Sequence, residues 1–178
     1  MGVITSTANA GATYVPIANY TVTGSNLIGT TGVTFSSIPS TYTDLVLVYA
    51  GQLTAAAISL LQINGDTSAA YSSTILGGNG SSAASTRQSS ANTQWLSAYG
   101  HQNANQGNII MNFQSYGNSS INRTNLFRAN NGGGLGLDAG VGLWRNTSSA
   151  INSIKVYLDR AEYYVVGSTF TLYGIKSA

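Results

Sequence analysis

Apolar residues in this chain come in short alternating runs, each cut off within a few positions by glycine, serine or asparagine. Alternation with a period of two puts one set of side chains on each face of a strand; a helix does not produce it. Val33 and Phe35 alternate with Thr34 and Ser36, and Ile109, Met111 and Phe113 with Ile110, Asn112 and Gln114. Leu137, Ala139, Val141 and Leu143 alternate with Asp138, Gly140, Gly142 and Trp144. Ile154, Val156 and Leu158 alternate with Ser153, Lys155 and Tyr157, and Phe170 and Leu172 with Thr169, Thr171 and Tyr173. Leu45 to Tyr49 is apolar without a break, as suits a central strand covered on both faces. Trp95, Ser97 and Tyr99 share a further face, and Asn125 to Ala129 is a shorter candidate. Ile58 to Ile63 leans to strand, although residues 55–61 also fit a helical turn. Asn64-Gly65-Asp66 follows it with residues that tolerate positive φ, and reads as a turn.

That pattern predicts an all-β chain: an antiparallel β-sandwich, jelly-roll-like, of roughly 8–10 strands with long Gly/Ser/Asn loops. Residues 77–92, small and polar, read as a flexible surface loop. Residues 26–178 form one β-sandwich domain in this reading. Residues 1–25 show no clear long strand and read as an extended N-terminal arm. Tyr14, Val15, Pro16, Ile17 and Tyr20 are its candidate contacts with a neighbouring subunit.

Composition narrows the function. Of 178 residues only 7% are charged, with seven Lys and Arg against five Asp and Glu. Polarity comes instead from 42 Ser and Thr and 17 Asn. A helical bundle, whose exposed faces need Glu, Lys and Arg, is disfavoured. Charge-driven disorder is disfavoured too, because 43% of the chain is hydrophobic. A net charge of +2 implies no nucleic-acid partner. The apolar runs, such as Leu45 to Ala50, are too short to span a bilayer, so no membrane partner is expected. Neutral polar groups can pack over large areas without desolvating charges, which suits assembly that varies little with salt.

The search for catalytic chemistry finds little. His101 is the one histidine and no cysteine is present, so a metal site would need carboxylates that are not near it in sequence. Asp44, Asp66, Asp138, Asp159 and Glu162 are the only acids, and Asp159 and Glu162 the only close pair, with Arg160 between them. A glycosidase needs two carboxylates at a set separation; here the pairing of Arg160 with either acid is the simpler reading. Gly132-Gly133-Gly134-Leu135-Gly136 lacks the Lys-Ser/Thr of a phosphate loop and reads as a flexible loop between strands. Arg123, Arg128 and Arg145 flank it and read as structural ion pairs or an interface. No catalytic residue, metal ligand or cofactor is assigned. Trp95, Trp144, Tyr163 and Tyr164 are the candidate aromatics for a glycan or a protein interface.

Four segments also resemble a known group. They are Tyr14-Val15-Pro16-Ile17-Ala18, Val33 to Leu47 (with Phe35, Ile38-Pro39, Tyr42 and Leu45), Asn64-Gly65-Asp66, and Gly167 to Ile175 ending Leu172-Tyr173-Gly174-Ile175. In that order, across nearly the whole chain, they resemble small virion structural proteins of tailed bacteriophages from environmental and cyanobacterial phages. The resemblance implies a non-enzymatic β-sandwich that decorates or cements the capsid or forms part of a tail fibre. It implies as partners further copies of the chain, a homotrimer first, and other virion proteins such as the major capsid protein. The alternative is a lectin-like module binding host surface glycan. The implied location is the virion, after synthesis in the host cytoplasm without a signal peptide. Residues read as fold markers carry these motifs, with Pro39 stopping one strand and Gly174 ending the last.

Overall fold

The computed structural model describes residues 14–98, 105–133 and 135–176. Among them there is no helix, and fourteen strands follow in chain order. The first seven are β1 (Tyr14–Thr21), β2 (Leu27–Ile28), β3 (Val33–Phe35), β4 (Asp44–Gly51), β5 (Ser59–Ile63), β6 (Tyr71–Gly78) and β7 (Ala83–Ala91). The rest are β8 (Gln94–Trp95), β9 (Gly107–Phe113), β10 (Arg123–Asn131), β11 (Gly136–Trp144), β12 (Ile154–Leu158), β13 (Tyr163–Tyr164) and β14 (Thr169–Ile175). An eight-stranded sheet runs β1-β14-β4-β9-β10-β11-β6-β7, and a four-stranded sheet runs β3-β12-β5-β8. A two-stranded ribbon pairs β13 with β2. Every pairing is antiparallel.

One core lies between the two larger sheets. The large sheet supplies Leu45, Leu47, Tyr49, Met111, Phe113 and Phe170, and the small sheet Phe35, Leu61, Ile63, Ile154, Val156 and Leu158. This is an antiparallel β-sandwich, as the alternation predicts. Of residues 55–61, those from Ser59 on lie in strand β5, and none forms a helical turn. At the turn after β5, Asn64 (φ 52°) and Gly65 (φ 67°) take the left-handed backbone expected of them. The Asn64 side chain then anchors a distant loop. Its amide donates to the Ala150 carbonyl at 2.7 Å, and its oxygen accepts from the Asn152 and Ser153 N–H groups.

Two expectations are corrected. The described part of the N-terminal segment is not an arm: Tyr14–Thr21 is edge strand β1, paired with β14 from Tyr14↔Ile175 to Thr21↔Thr169. A bulge between Pro16 and Ala18 breaks its alternation, which is why no strand shows in the sequence. Residues 1–13 lie outside the described residues, as do Tyr99 and His101. The stretch 77–92 is not a loop either. It holds the end of β6 and all of β7, joined by a tight turn in which Asn79 Oδ1 accepts from the Ser81 and Ser82 N–H groups. An edge strand with little core to face has no need of an apolar set, so β7 is written in Ala, Ser, Thr and Gln around Arg87. With the two-residue strands β2, β8 and β13, these additions take the count past the predicted range.

Three of the four resemblance motifs pack together. A Cβ on Gly174 would fall among the atoms of the Tyr42 ring, so this glycine is a seat for that ring and β14 continues to Ile175. Val15 pairs with Gly174 on the other side, and the Tyr116 hydroxyl donates to the Pro39 carbonyl.

Candidate functional site

Alternation on the eight-stranded sheet turns one set of side chains to the core and the other outward. On β11 the inward set is Asp138, Gly142 and Trp144, all buried, and the outward set includes Leu137 and Val141. The apolar set of this strand therefore faces away from the core. The reason lies inside: Trp144 is too large to face outward uncovered, and Gly140 and Gly142 make room for other side chains. A Cβ on Gly140 would meet the Phe127 ring, and one on Gly142 the Gln94 amide.

The outward set of neighbouring strands adds to this face. Val141 pairs with Leu126 on β10 and with Thr74 on β6, and Leu76 pairs with Ala139. Leu76 is 63% exposed, Leu126 48%, Leu137 64% and Val141 46%. Arg128 (opposite Ala139) and Arg87 (opposite Thr74) belong to the same face. Neither guanidinium has a hydrogen-bond or ion-pair partner among the described residues. Arg145 binds the Ser72 hydroxyl and the Ala69 carbonyl. Shallow grooves cross the face. One of about 520 Å³ is lined by Tyr14, Val46, Val48, Ile110, Asn112 and Arg128, and one of about 370 Å³ by Leu76, Leu126, Ala139 and Val141.

The sequence-predicted residues scatter. Trp144 and Tyr164 are fully buried and offer no platform to a ligand. Tyr164 packs on Tyr49 (centroids 5.4 Å apart) and Phe170 (5.0 Å), because its ring completes the core under the ribbon. Tyr163 is exposed on that ribbon, while Trp95 is half-buried on β8 of the small sheet. Tyr14 and Tyr20 are exposed on β1, with Val15, Pro16 and Ile17 between them in the strand. Nothing in the sequence marks Arg87 as a face residue, because its strand β7 carries no apolar alternation.

Arg123 is buried and has a structural role, although its partners are backbone carbonyls rather than the acid of an ion pair. Its Nη1 donates to the Asn118 carbonyl at 2.6 Å and to the Ile121 carbonyl, and its guanidinium lies 4.9 Å from the centroid of the Trp144 ring. Burial pushes the Arg123 guanidinium down from its ordinary value. On the same indole, Trp144 Nε1 donates to Asp66 Oδ2 at 2.7 Å. Partial burial pushes the Asp66 carboxyl up, but hydrogen bonds from Ser68 Oγ, Trp144 Nε1 and the Ser68 N–H outweigh it. The carboxyl sits below its ordinary 3.8. A depressed carboxylate contributes stability above the unfolded value and loses it as pH falls through the folded one. The melting temperature should therefore drop as pH falls below about 4. Asp66→Asn should flatten that acid limb; parallel limbs in a pH series of thermal melts would refute the assignment.

The remaining acids also hold structure. Asp159 binds Arg160 at 2.7 Å and accepts from the Ile58 N–H. Glu162 accepts from Thr54 Oγ1 at 2.8 Å, Asp138 from the Ala98 N–H, and Asp44 from the Ser115 N–H. Among the described residues no three acidic or histidine side chains converge as metal ligands would.

No family model matches the chain, and no curated protein matches it. Solved structures similar to it include a galectin and a SPRY domain. A galectin, LEC-6 of Caenorhabditis elegans, is 10% identical with a TM-score of 0.40, covering 86% of this chain and 94% of the galectin. A human SPRY domain is 10% identical with a TM-score of 0.22, covering 80% of this chain and 98% of that domain.

Proposed function

We propose that this chain is a non-enzymatic structural subunit of a bacteriophage particle, decorating the capsid or forming part of a fibre, and that it assembles through the outer face of its eight-stranded sheet. The observation that carries assembly is the clustering of Leu76, Leu126, Leu137 and Val141 on adjacent strands, all facing solvent. A monomer gains nothing by displaying a leucine-rich face, and contiguous apolar patches mark interaction sites. The phage setting comes from the resemblance of the four motifs, of which the first, second and last pack together in the fold. Glycan binding through aromatic platforms loses Trp144 and Tyr164 to the core.

Light scattering on the purified full chain tests assembly. Wild type should be oligomeric, and Leu126→Arg should shift it to monomer with little change in melting temperature, because Leu126 touches solvent in the single subunit. A wild-type monomer at every concentration reached would refute the reading. Purified particles of the phage that carries the chain should contain it in many copies.

A further inference from the structure

We propose that copies of this chain join head to tail: the outer face of the large sheet in one copy docks on the ribbon of β13 and β2, with the 159–162 loop beside it, in the next. The proposal rests on the assembly reading above and names the surface that meets the face.

Most large apolar side chains left exposed fall into two groups. One is the outer face. The other is Ile28, Tyr163 and Val166. Ile28 and Tyr163 are paired across the ribbon, and Val166 is tied to its base by its N–H, which donates to Asn26 Oδ1 at 3.0 Å. The 159–162 loop leaves the end of β12, a strand of the small sheet, so this patch and the outer face lie on different sides of one subunit. They can meet only between copies.

Charge divides the same way. The outer face carries Arg87, Arg128 and Arg145, and its only carboxylate is Asp44 at the rim, held by the Ser115 N–H at 2.7 Å. The ribbon patch carries Asp159, Arg160 and Glu162, and the salt bridge of the first two leaves Glu162 as its net charge. An isologous contact would set the arginine-bearing face against its own copy, and like charges brought together in an interface oppose association. The ribbon patch against itself has the mirror problem at Glu162. Face on patch resolves both: leucines meet Ile28, Tyr163 and Val166, and a free guanidinium meets a carboxylate. Such a heterologous contact closes into a ring when its rotation allows, and a trimer is the smallest ring.

The experiment is a charge reversal on the full chain, read by light scattering and sedimentation. Arg128→Glu and Glu162→Arg are each expected to weaken association at least tenfold, and the double variant to return it to within about threefold of wild type. Arg128 is exposed and Glu162 half-buried, its carboxylate held by Thr54 Oγ1, so circular dichroism melts check that each variant is folded. If wild type assembles and neither single variant weakens it, or the double fails to restore it, the head-to-tail contact is wrong while the assembly reading stands. A monomeric wild type overturns both.

Discussion

Trp144→Ala is expected to lower the unfolding free energy by about 3–5 kcal/mol. Small domains hold only roughly 5–15 kcal/mol in total, so the variant would stand near unfolding. Three contributions go at once. The largest fully buried side chain leaves a cavity at the end of β11. Asp66 loses the indole N–H that helps to hold its carboxylate. Arg123, already buried with no carboxylate bonded to it, loses the ring face beneath its guanidinium. Urea titration reads the change as a shift in midpoint. Trp144→Phe separates the parts, because it keeps most of the ring and removes the hydrogen bond; it should cost markedly less than Ala. A loss below about 1 kcal/mol for Ala would mean that the ring is not the keystone described here. One consequence concerns function. Weakened adsorption to host material in a Trp144 variant would report a loosened fold, not a lost sugar platform.

Period-two alternation made the sandwich legible, because a buried strand writes its inward face in apolar residues. It failed where that link breaks. On β7 little of the strand faces the core, so Ala83–Ala91 carries no pattern and looks like loop in the sequence. On β1 the bulge at Pro16 shifts the phase halfway along the strand. On β11 the pattern was visible but its sense was hidden: Leu137 and Val141 look like the core set until Trp144 is seen to be inside. The candidate site suffered from the same ambiguity. An outward leucine and an inward one are identical in sequence, so Leu76 and Leu126 could not be told from core residues. Arg123 and Arg128, five positions apart on one strand, went to opposite faces through the bare parity of the strand. Low charge was the better guide. With so few ions, those outside a salt bridge stand out, which is how Arg87, Arg128 and Glu162 come to matter.

Gly142→Ala should cost roughly 2–4 kcal/mol, far more than one methyl group on a surface strand. Gly142 is buried and faces the side-chain amide of Gln94, which occupies the place of a Cβ. That amide is in a closed pair. Gln94 Nε2 donates to Asn125 Oδ1 at 2.9 Å, and Asn125 Nδ2 donates to Gln94 Oε1 at 2.7 Å, with both residues buried. A methyl group at 142 must push Gln94 aside, and the pair then breaks, leaving amide groups unsatisfied in the core. Overpacking costs about 1–3 kcal/mol, and a buried polar group without its partner about the same. A double-mutant cycle decides whether this contact is the cause. Gln94→Ala alone should destabilise, since it orphans the Asn125 amide. In that background Gly142→Ala should be nearly neutral, because the group it would strike has gone. The coupling should therefore account for most of the single-variant loss. If Gly142→Ala costs as much without Gln94 as with it, the glycine answers to something other than the amide pair. The cycle thus tests why a strand whose outward face is rich in leucine keeps glycine at 142, directed at a side chain from β8 of the second sheet. The two sheets are keyed there by a buried polar pair, and the key fits only if the opposing strand has no side chain at that position.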